Sequence, residues 1–285
     1  MSRWLPDCLE ITLAPDHLML ARSPHRLDLG GRRRAYPPAS VVPVPAAEDG
    51  APAWGAALAT LGEVLQDLDA HAMGPAVATV ILANRYVRYA LVPWSDLVDD
   101  EEEEGQALAR HYLQESFGAA AERWELRIAP DPQASQRLVS AVEPGLLADL
   151  RQLFAASPIR LASIQPRLMA VCNRHRRRLG QRDAWLALAE PGALCLLLLQ
   201  GGRAVRLRQL RLGDAWPSEL VTSLERESYV VESPVPIQDV FLAADGMEDQ
   251  SFPPARSWNI QLIESAPPAA AVAPAGIGPA LAVGG

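Results

Sequence analysis

Residues 8–22 have the sequence CLEITLAPDHLMLAR, and residues 184–212 have the sequence AWLALAEPGALCLLLLQGGRAVRLRQLRL. Each stretch contains an apolar strand, a tight turn and a returning strand, which is the pattern of a β-hairpin. The second copy adds a third strand after Gly201-Gly202. Because the pattern occurs twice, the sequence predicts two lobes that begin in the same way.

The rest of the chain alternates predicted strands with predicted helices. The spacing of apolar residues predicts helices at 54–72, 99–117, 166–179 and 216–230, and another that begins at Pro144. The strands are predicted at 8–13, 17–22, near 40–44, 76–83, 86–92, 122–129, 137–142, 159–164, 185–189, 194–200, 203–210, 237–243 and 257–263. The order indicates a mixed α/β protein.

We predict three parts in the chain. Residues 1–180 form a first lobe with an inserted α/β subdomain, and residues 181–263 form a second lobe. Residues 264–285 are rich in Ala, Pro and Gly, which predicts a disordered tail. Prolines and glycines also argue against a membrane-spanning helix in that segment.

Composition excludes several functions. The 285 residues carry a formal charge of −8, which argues against a general nucleic-acid binder. All 26 basic residues are arginine. The absence of lysine excludes a phosphate-loop lysine, a Schiff-base lysine and a kinase-type lysine.

Cysteine and histidine spacing gives no sign of a disulfide framework or a metal centre. Cys8, Cys172 and Cys195 are three in number, and none belongs to a CxxC pair, so we expect reduced cysteines in a cytoplasmic protein. The five histidines have neither HxxH nor HExxH spacing, which makes a metal site improbable. The N-terminus lacks the apolar core of a signal peptide.

Three blocks of sequence carry a family resemblance. They are VILANRYVRYALVPW at 80–94 followed by an acidic helix ending in FG at 117–118, IRLASIQPRLMAVCNRHR at 159–176, and VRLRQLRLG at 205–213 followed by SLERES at 223–228. Together they resemble the actin-like cytoplasmic proteins of bacterial type IV pilus and type II secretion inner-membrane platforms, of the PilM and GspL type. The resemblance covers about residues 8–262.

That resemblance implies an actin-like fold, with two ribonuclease-H-like lobes, and degenerate phosphate loops. Family members that bind ATP carry an Asp-x-Gly-like loop in the first hairpin turn, whereas the corresponding position here is Ile11-Thr12-Leu13-Ala14-Pro15, which has a proline and no glycine. The second loop corresponds to Glu190-Pro191-Gly192-Ala193, and a Gly-Gly adenosine turn corresponds to Ala243-Ala244-Asp245-Gly246. Prolines and missing glycines weaken a cradle of backbone N–H groups for phosphate. The residues of a degenerate nucleotide cleft would be Asp16, Glu190, Gly192, Asp245 and Gly246.

Each of these residues also has an interpretation without a ligand. Asp16 and Glu190 can be ordinary residues of tight turns. The acidic run DDEEEE at 99–104 can be a solvated helix start, where negative charge is favoured. The basic run that contains Arg174, Arg176, Arg177 and Arg178 can complement a helix C-terminus, although it is also a candidate membrane-surface patch facing anionic lipid.

The resemblance favours a non-enzymatic cytoplasmic scaffold, peripheral to the inner membrane, with no catalytic residue and no cofactor beyond a vestigial ATP site. Its partner would be a membrane-anchored pilus or secretion platform protein, bound through a short cytoplasmic segment. One alternative is an ATPase or phosphotransferase of the same fold, for which Asp16, Glu190 and Asp245 are the candidate acids. Another is a soluble assembly chaperone or regulator.

Overall fold

The computed structural model describes residues 7–23, 39–47, 50–70, 76–94, 103–130, 135–231, 235–244 and 257–264. Two compact units divide these residues. The first takes in the residues up to Ala83 together with Gly145–Gln165, and the second takes in Asn84–Pro144 and Pro166–Ser265. The predicted boundary at 180 therefore falls inside the second compact unit, and the predicted tail lies outside the described residues.

The first unit contains a five-stranded sheet in the order β3-β2-β1-β4-β8. Its strands are β1 (Asp7–Leu13), β2 (His17–Ser23), β3 (Ser40–Pro43), β4 (Ala76–Leu82) and β8 (Arg160–Pro166). β1, β2 and β3 form an antiparallel meander, and β1 pairs with β4 in parallel. The short strand predicted near 40–44 is thus the third strand of the first hairpin motif.

Two helices of the first unit lie beside each other. They are α1 (Gly55–Ala70) and α3 (Pro144–Ala155). The indole nitrogen of Trp54, just before α1, donates to a carboxylate oxygen of Asp149 on α3 at 2.9 Å. Added bulk at Gly62 of α1 would lie 3.4 Å from Leu153 of α3, so the helices pack at close range.

The second unit contains another five-stranded sheet, in the order β11-β10-β9-β12-β13. Its strands are β9 (Ala184–Glu190), β10 (Ala193–Gln200), β11 (Arg203–Arg211), β12 (Asp239–Ala244) and β13 (Asn259–Leu262). Helix α6 (Trp216–Ser228) buries Trp216, Leu220 and Leu224 in the apolar core on one face of this sheet. As in the first sheet, an antiparallel meander is followed by a strand that pairs in parallel with the first strand of the meander, here β12 with β9.

The inserted segment of the second unit forms its own small sheet, in the order β5-β7-β6. Its strands are β5 (Val87–Pro93), β6 (Glu125–Ile128) and β7 (Gln136–Val142). Helix α2 (Glu103–Phe117) covers one face of this sheet, where Ala109 and Leu113 pack against Val92 and Val139. Of the acidic run at 99–104, residues 99–102 lie outside the described part of the chain.

Two predicted elements differ from the structure. The predicted strand at 122–129 starts only at Glu125, because Ala119–Arg123 forms a 3₁₀ helix. The guanidinium of Arg110 donates to the carbonyl oxygens of Ala121, Glu122 and Trp124, and so holds this turn against α2.

The predicted helix at 166–179 is in fact two helices, α4 (Arg167–Arg174) and α5 (Arg176–Leu179). His175 separates them, with φ −101° and ψ 14°. The ring nitrogen Nε2 of His175 contacts the carbonyl oxygen of Glu264, just after β13. A tertiary contact therefore fixes the break, which periodicity alone does not reveal. No helix of the described residues is long and apolar enough to cross a membrane.

The predicted two-residue turn between β10 and β11 provides a test of local geometry. Gly201 and Gly202 both have positive φ, 55° and 79°, which L side chains rarely adopt. A Cβ at Gly202 would lie 2.5 Å from the backbone nitrogen of Gln181, whereas a Cβ at Gly201 would meet nothing within 4 Å.

We therefore expect Gly201→Ala to lower the free energy of unfolding by about 1–2 kcal/mol, the cost of left-handed backbone. Gly202→Ala should cost more, because the backbone at Gln181 must also shift. Urea unfolding of the two variants measures the difference. Equal losses would contradict the close packing of this turn against residues 180–182.

Candidate functional site

The turn between β9 and β10 is the position that the resemblance assigns to a second phosphate loop. Pro191 and Gly192 form its two central residues, and Gly192 has a φ of 75°. Pro followed by a residue with positive φ is the residue pair of a type II turn. A Cβ at Gly192 would lie 2.9 Å from a guanidinium nitrogen of Arg85. The positive φ of the turn therefore accounts for Gly192 without any ligand.

Glu190, the last residue of β9, has a buried carboxylate. Its Oε1 lies 3.0 Å from Nη1 of Arg167, and the two side chains are only 5% and 2% exposed. The backbone N–H of Asn84 donates to both carboxylate oxygens at 3.0 Å. The negative charge is thus compensated inside the protein by a guanidinium and a main-chain donor.

Asn84 and Tyr89 extend this contact into a buried polar cluster. The Tyr89 hydroxyl donates to Oδ1 of Asn84 at 3.1 Å and accepts from the backbone N–H of Leu168 at 3.3 Å. Burial is the main cause that raises the pKa of Tyr89 well above its ordinary value of 10.0. The phenol therefore remains neutral and acts as a structural hydrogen-bonding group.

Gln209 of β11 links the small sheet to the same cluster. Its carbonyl oxygen accepts from the N–H of Tyr89 at 3.0 Å, and its amide nitrogen donates to the carbonyl oxygens of Val87 and Asn84 at 2.9 and 3.3 Å. β5 is an edge strand of its sheet, and the carboxamide of Gln209 bonds to main-chain groups at the start of this strand as a neighbouring strand would.

The cysteines near this cluster are free and unreactive in character. Burial raises the pKa of the Cys172 thiol to about 12. Burial, followed by the nearby Glu190 charge, also raises the pKa of Cys195, which is fully buried. Neither thiol has the lowered pKa of a nucleophile. The described residues contain no group of three or more His, Cys, Asp or Glu that could hold a metal ion.

The first hairpin turn, in the first unit, forms hydrogen bonds with neighbouring residues of the same sheet. The N–H of Ala14 donates to the carbonyl of His17 at 3.1 Å, and the N–H of Val44 donates to the carbonyl of Asp16 at 2.8 Å. The Asp16 side chain is half exposed and contacts Nδ1 of His17 at 2.9 Å. Main-chain groups of this turn therefore form hydrogen bonds within the meander of β1, β2 and β3.

The remaining predicted site residues fall in two groups. Asp245 and Gly246 lie outside the described residues. Arg174, Arg176, Arg177 and Arg178 are exposed on α4 and α5. Arg178 also donates to the side chain of Gln261 at 2.8 Å and lies 5.1 Å above the ring of Phe241. That this group faces anionic lipid stays a prediction.

Sequence reasoning did not identify Arg167, Asn84 and Gln209 as partners of this cluster. Arg167 opens α4, directly after Pro166. A positive charge in the first turn of a helix is unfavourable, because it opposes the helix dipole. The position of this arginine therefore indicates that an acidic side chain lies close to it. Nothing in the sequence pairs it with Glu190 rather than with another acid.

A second buried carboxylate lies elsewhere in the second unit. Glu227 on α6 has a 5% exposed side chain and accepts from Nε of Arg206 and, at 3.2 Å, from Nε of Arg208. Burial opposes its charged form, but the hydrogen bonds from the two arginines outweigh burial and lower the pKa of Glu227 below 4.5. These contacts attach α6 to the outer strand β11.

Comparison with known proteins gives the fold a name. No family model and no curated protein matches the chain. Among solved structures, it is similar to a chain of a "PilM-PilN type IV pilus biogenesis complex", with a TM-score of 0.63, 16% identity, and coverage of 90% of this chain and 88% of that chain.

Two further structures agree in fold. The cytoplasmic domain of Epsl, an inner membrane component of the type II secretion system of Vibrio cholerae, gives a TM-score of 0.55 at 10% identity, with 90% of each chain covered. A Bacteroides thetaiotaomicron protein with an actin-like ATPase fold gives 0.53 at 11% identity, with 86% of this chain and 85% of that chain covered. The chain therefore has the actin-like fold, which confirms the fold that the sequence resemblance implied.

The Arg167–Glu190 contact should dominate local stability. Loss of one partner from a buried ion pair leaves an uncompensated charge, so Arg167→Met and Glu190→Gln should each lower the free energy of unfolding by about 3–5 kcal/mol. The double variant should lose less than the sum, with a coupling of about 1–3 kcal/mol. Urea unfolding provides the measurement.

Glu115→Gln is the matched control, because its contact with His111 is exposed at the surface. It should change the free energy of unfolding by less than about 0.5 kcal/mol. Single losses at Arg167 and Glu190 as small as this control would show that the buried pair contributes little.

Glu227 should produce an acid-sensitive component of stability. Its folded-state pKa is lowered, so its contribution is complete above the ordinary value of 4.5 and is lost as pH falls through the lowered folded-state pKa. Glu227→Gln should therefore cost about 1–2 kcal/mol at neutral pH. Urea unfolding of both proteins from pH 7 to pH 2 should show the difference shrinking only on the acid side of 4.5. A constant difference would contradict the ion-paired state.

Proposed function

We propose that this chain is a non-enzymatic cytoplasmic scaffold of a type IV pilus or type II secretion-like assembly. It docks on a cytoplasmic segment of a membrane-anchored partner. The observation that carries the proposal is the position of Glu190: the acid of the second phosphate loop is buried against Arg167 and the backbone of Asn84.

Phosphoryl chemistry requires an acid that can orient a metal ion or a water molecule. Both carboxylate oxygens of Glu190 accept from the N–H of Asn84, and Oε1 also contacts Arg167, in a side chain with almost no solvent exposure. A guanidinium already supplies the positive charge that a bound cation would supply. This arrangement favours a structural role for the acid over a role in nucleotide turnover.

The loop residues support the same conclusion. Type II turn geometry accounts for Gly192, and strand pairing engages the backbone of Ala14 and Asp16. Phosphate cradles require several main-chain N–H groups that converge on the ligand. Here proline removes one such donor from each turn, at Pro15 and Pro191.

The partner class is suggested by the structures that share the fold at TM-scores above 0.5. One belongs to a PilM-PilN type IV pilus biogenesis complex, and another is the cytoplasmic domain of an inner membrane component of a type II secretion system. We extend their setting to this chain: it would lie at the cytoplasmic face of the inner membrane, held there by a membrane-anchored protein.

Cell fractionation with in-cell photocrosslinking tests this proposal. We expect the full chain to sediment with inner membranes and to crosslink to a membrane-anchored protein that has a cytoplasmic segment. Deletion of that segment should release the chain into the soluble fraction, while the partner itself remains in the membrane. A chain that is soluble whether or not the segment is present, or that crosslinks only to soluble proteins, would contradict the scaffold and favour a chaperone or regulator.

A further inference from the structure

The strand β13 forms an outer edge of the second unit's sheet. The N–H of Asn259 donates to Gln238 at 2.9 Å, and the N–H of Ile263 donates to Leu242 at 2.8 Å, on the β12 side. Alternate residues of a strand direct their backbone groups to the same neighbour. Ile260 and Leu262 therefore direct their N–H and C=O groups away from β12, and among the described residues no strand pairs with them.

A segment rich in exposed arginines contacts this strand. Arg178 on α5 bonds to the side chain of Gln261, and His175 contacts the carbonyl of Glu264. These two contacts hold the junction of α4 and α5 against β13. Arg174, Arg176 and Arg177 are exposed on the same short segment, and Glu264 is the exposed acid beside it.

The arginine charges and the open backbone groups of β13 together indicate which kind of partner this surface binds. An open strand edge binds an extended peptide by main-chain hydrogen bonds, and flanking side chains select the sequence. Four residues of β13 span about 13 Å, and the arginines cover a helical length of about 6 Å beside it. Guanidinium groups bind carboxylates well, so an acidic segment is the strand that this surface favours.

We propose that β13 and the arginines of α4 and α5 form a docking surface for an extended acidic peptide segment of a protein partner. The inference deepens the proposed scaffold function, because it names the chemistry of the segment that is bound. An anionic lipid surface is the competing occupant of the arginines. Lipid headgroups make no use of the strand edge, however, whereas an extended peptide would use both the edge and the arginines.

Fluorescence anisotropy with a labelled synthetic peptide, acetyl-EVEIEVE-amide, tests the surface on the full chain. We expect saturable binding that weakens with salt, and about tenfold weaker binding to Arg176→Gln/Arg177→Gln, the effect of two exposed ion pairs. The control variant Arg123→Gln/Arg226→Gln makes the same change of charge at exposed positions on other elements and should bind as the unmodified chain does. The neutral peptide acetyl-QVQIQVQ-amide should bind about tenfold more weakly than the acidic peptide.

Two N-methylated forms of the acidic peptide separate strand addition from simple charge attraction. One is methylated at the odd backbone nitrogens and the other at the even ones. Only one face of an added strand bonds to the edge, so one form should lose binding and the other should retain it. Equal binding of both forms, or equal effects of the two arginine double variants, would overturn the proposal.

Vesicles containing phosphatidylserine provide the lipid comparison. Sedimentation of the chain with these vesicles through Arg176 and Arg177, without binding of the acidic peptide, would assign the patch to lipid and overturn the proposal. The proposed scaffold function is tested separately, by cell fractionation. It is contradicted if association of the chain with the membrane does not depend on a partner. This docking surface fails if Arg176→Gln/Arg177→Gln leaves a partner-dependent association unchanged.

Discussion

The contact between Glu190 and Arg167 is the interaction on which the second unit depends. Glu190 ends the central strand β9, Arg167 begins α4, and Asn84, which donates to the same carboxylate, begins the inserted segment that leads into β5. One buried carboxylate thus joins three segments that are distant in sequence. A buried charge is tolerated when an opposite charge and hydrogen bonds compensate it, so the relative placement of the three segments matters for stability.

The two five-stranded sheets show how one topology serves different purposes. Both have a three-stranded antiparallel meander followed by two outer strands, yet the turn residues differ between the copies. In the first unit, the carbonyl oxygen of Asp16 in the turn accepts from the N–H of Val44, just after β3. In the second unit, the turn directly follows Glu190, whose buried carboxylate pairs with Arg167. The sheet order depends on strand pairing and core packing, so it is compatible with different residues in the two turns.

Much of this fold was predictable from local patterns. Apolar runs bounded by turn residues identified the strands, and helical spacing identified α1, α3 and α6 to within a few residues of their observed ends. The Gly201-Gly202 turn followed from the conformational freedom of glycine. The break at His175 and the 3₁₀ helix before β6 were missed, because contacts with Glu264 and Arg110, remote in sequence, impose them. The partners of Glu190 were missed for the same reason.

The central claim is that the Glu190 carboxylate serves the protein interior and not a nucleotide. Calorimetric titration of the full chain with ATP and Mg²⁺ tests it most directly, with Glu190→Gln as the paired sample. The account predicts no binding heat up to millimolar ATP for either protein, an affinity weaker than about −4 kcal/mol. Micromolar binding, about −8 kcal/mol, that is lost in Glu190→Gln would contradict it and would make the chain a nucleotide-binding member of its fold.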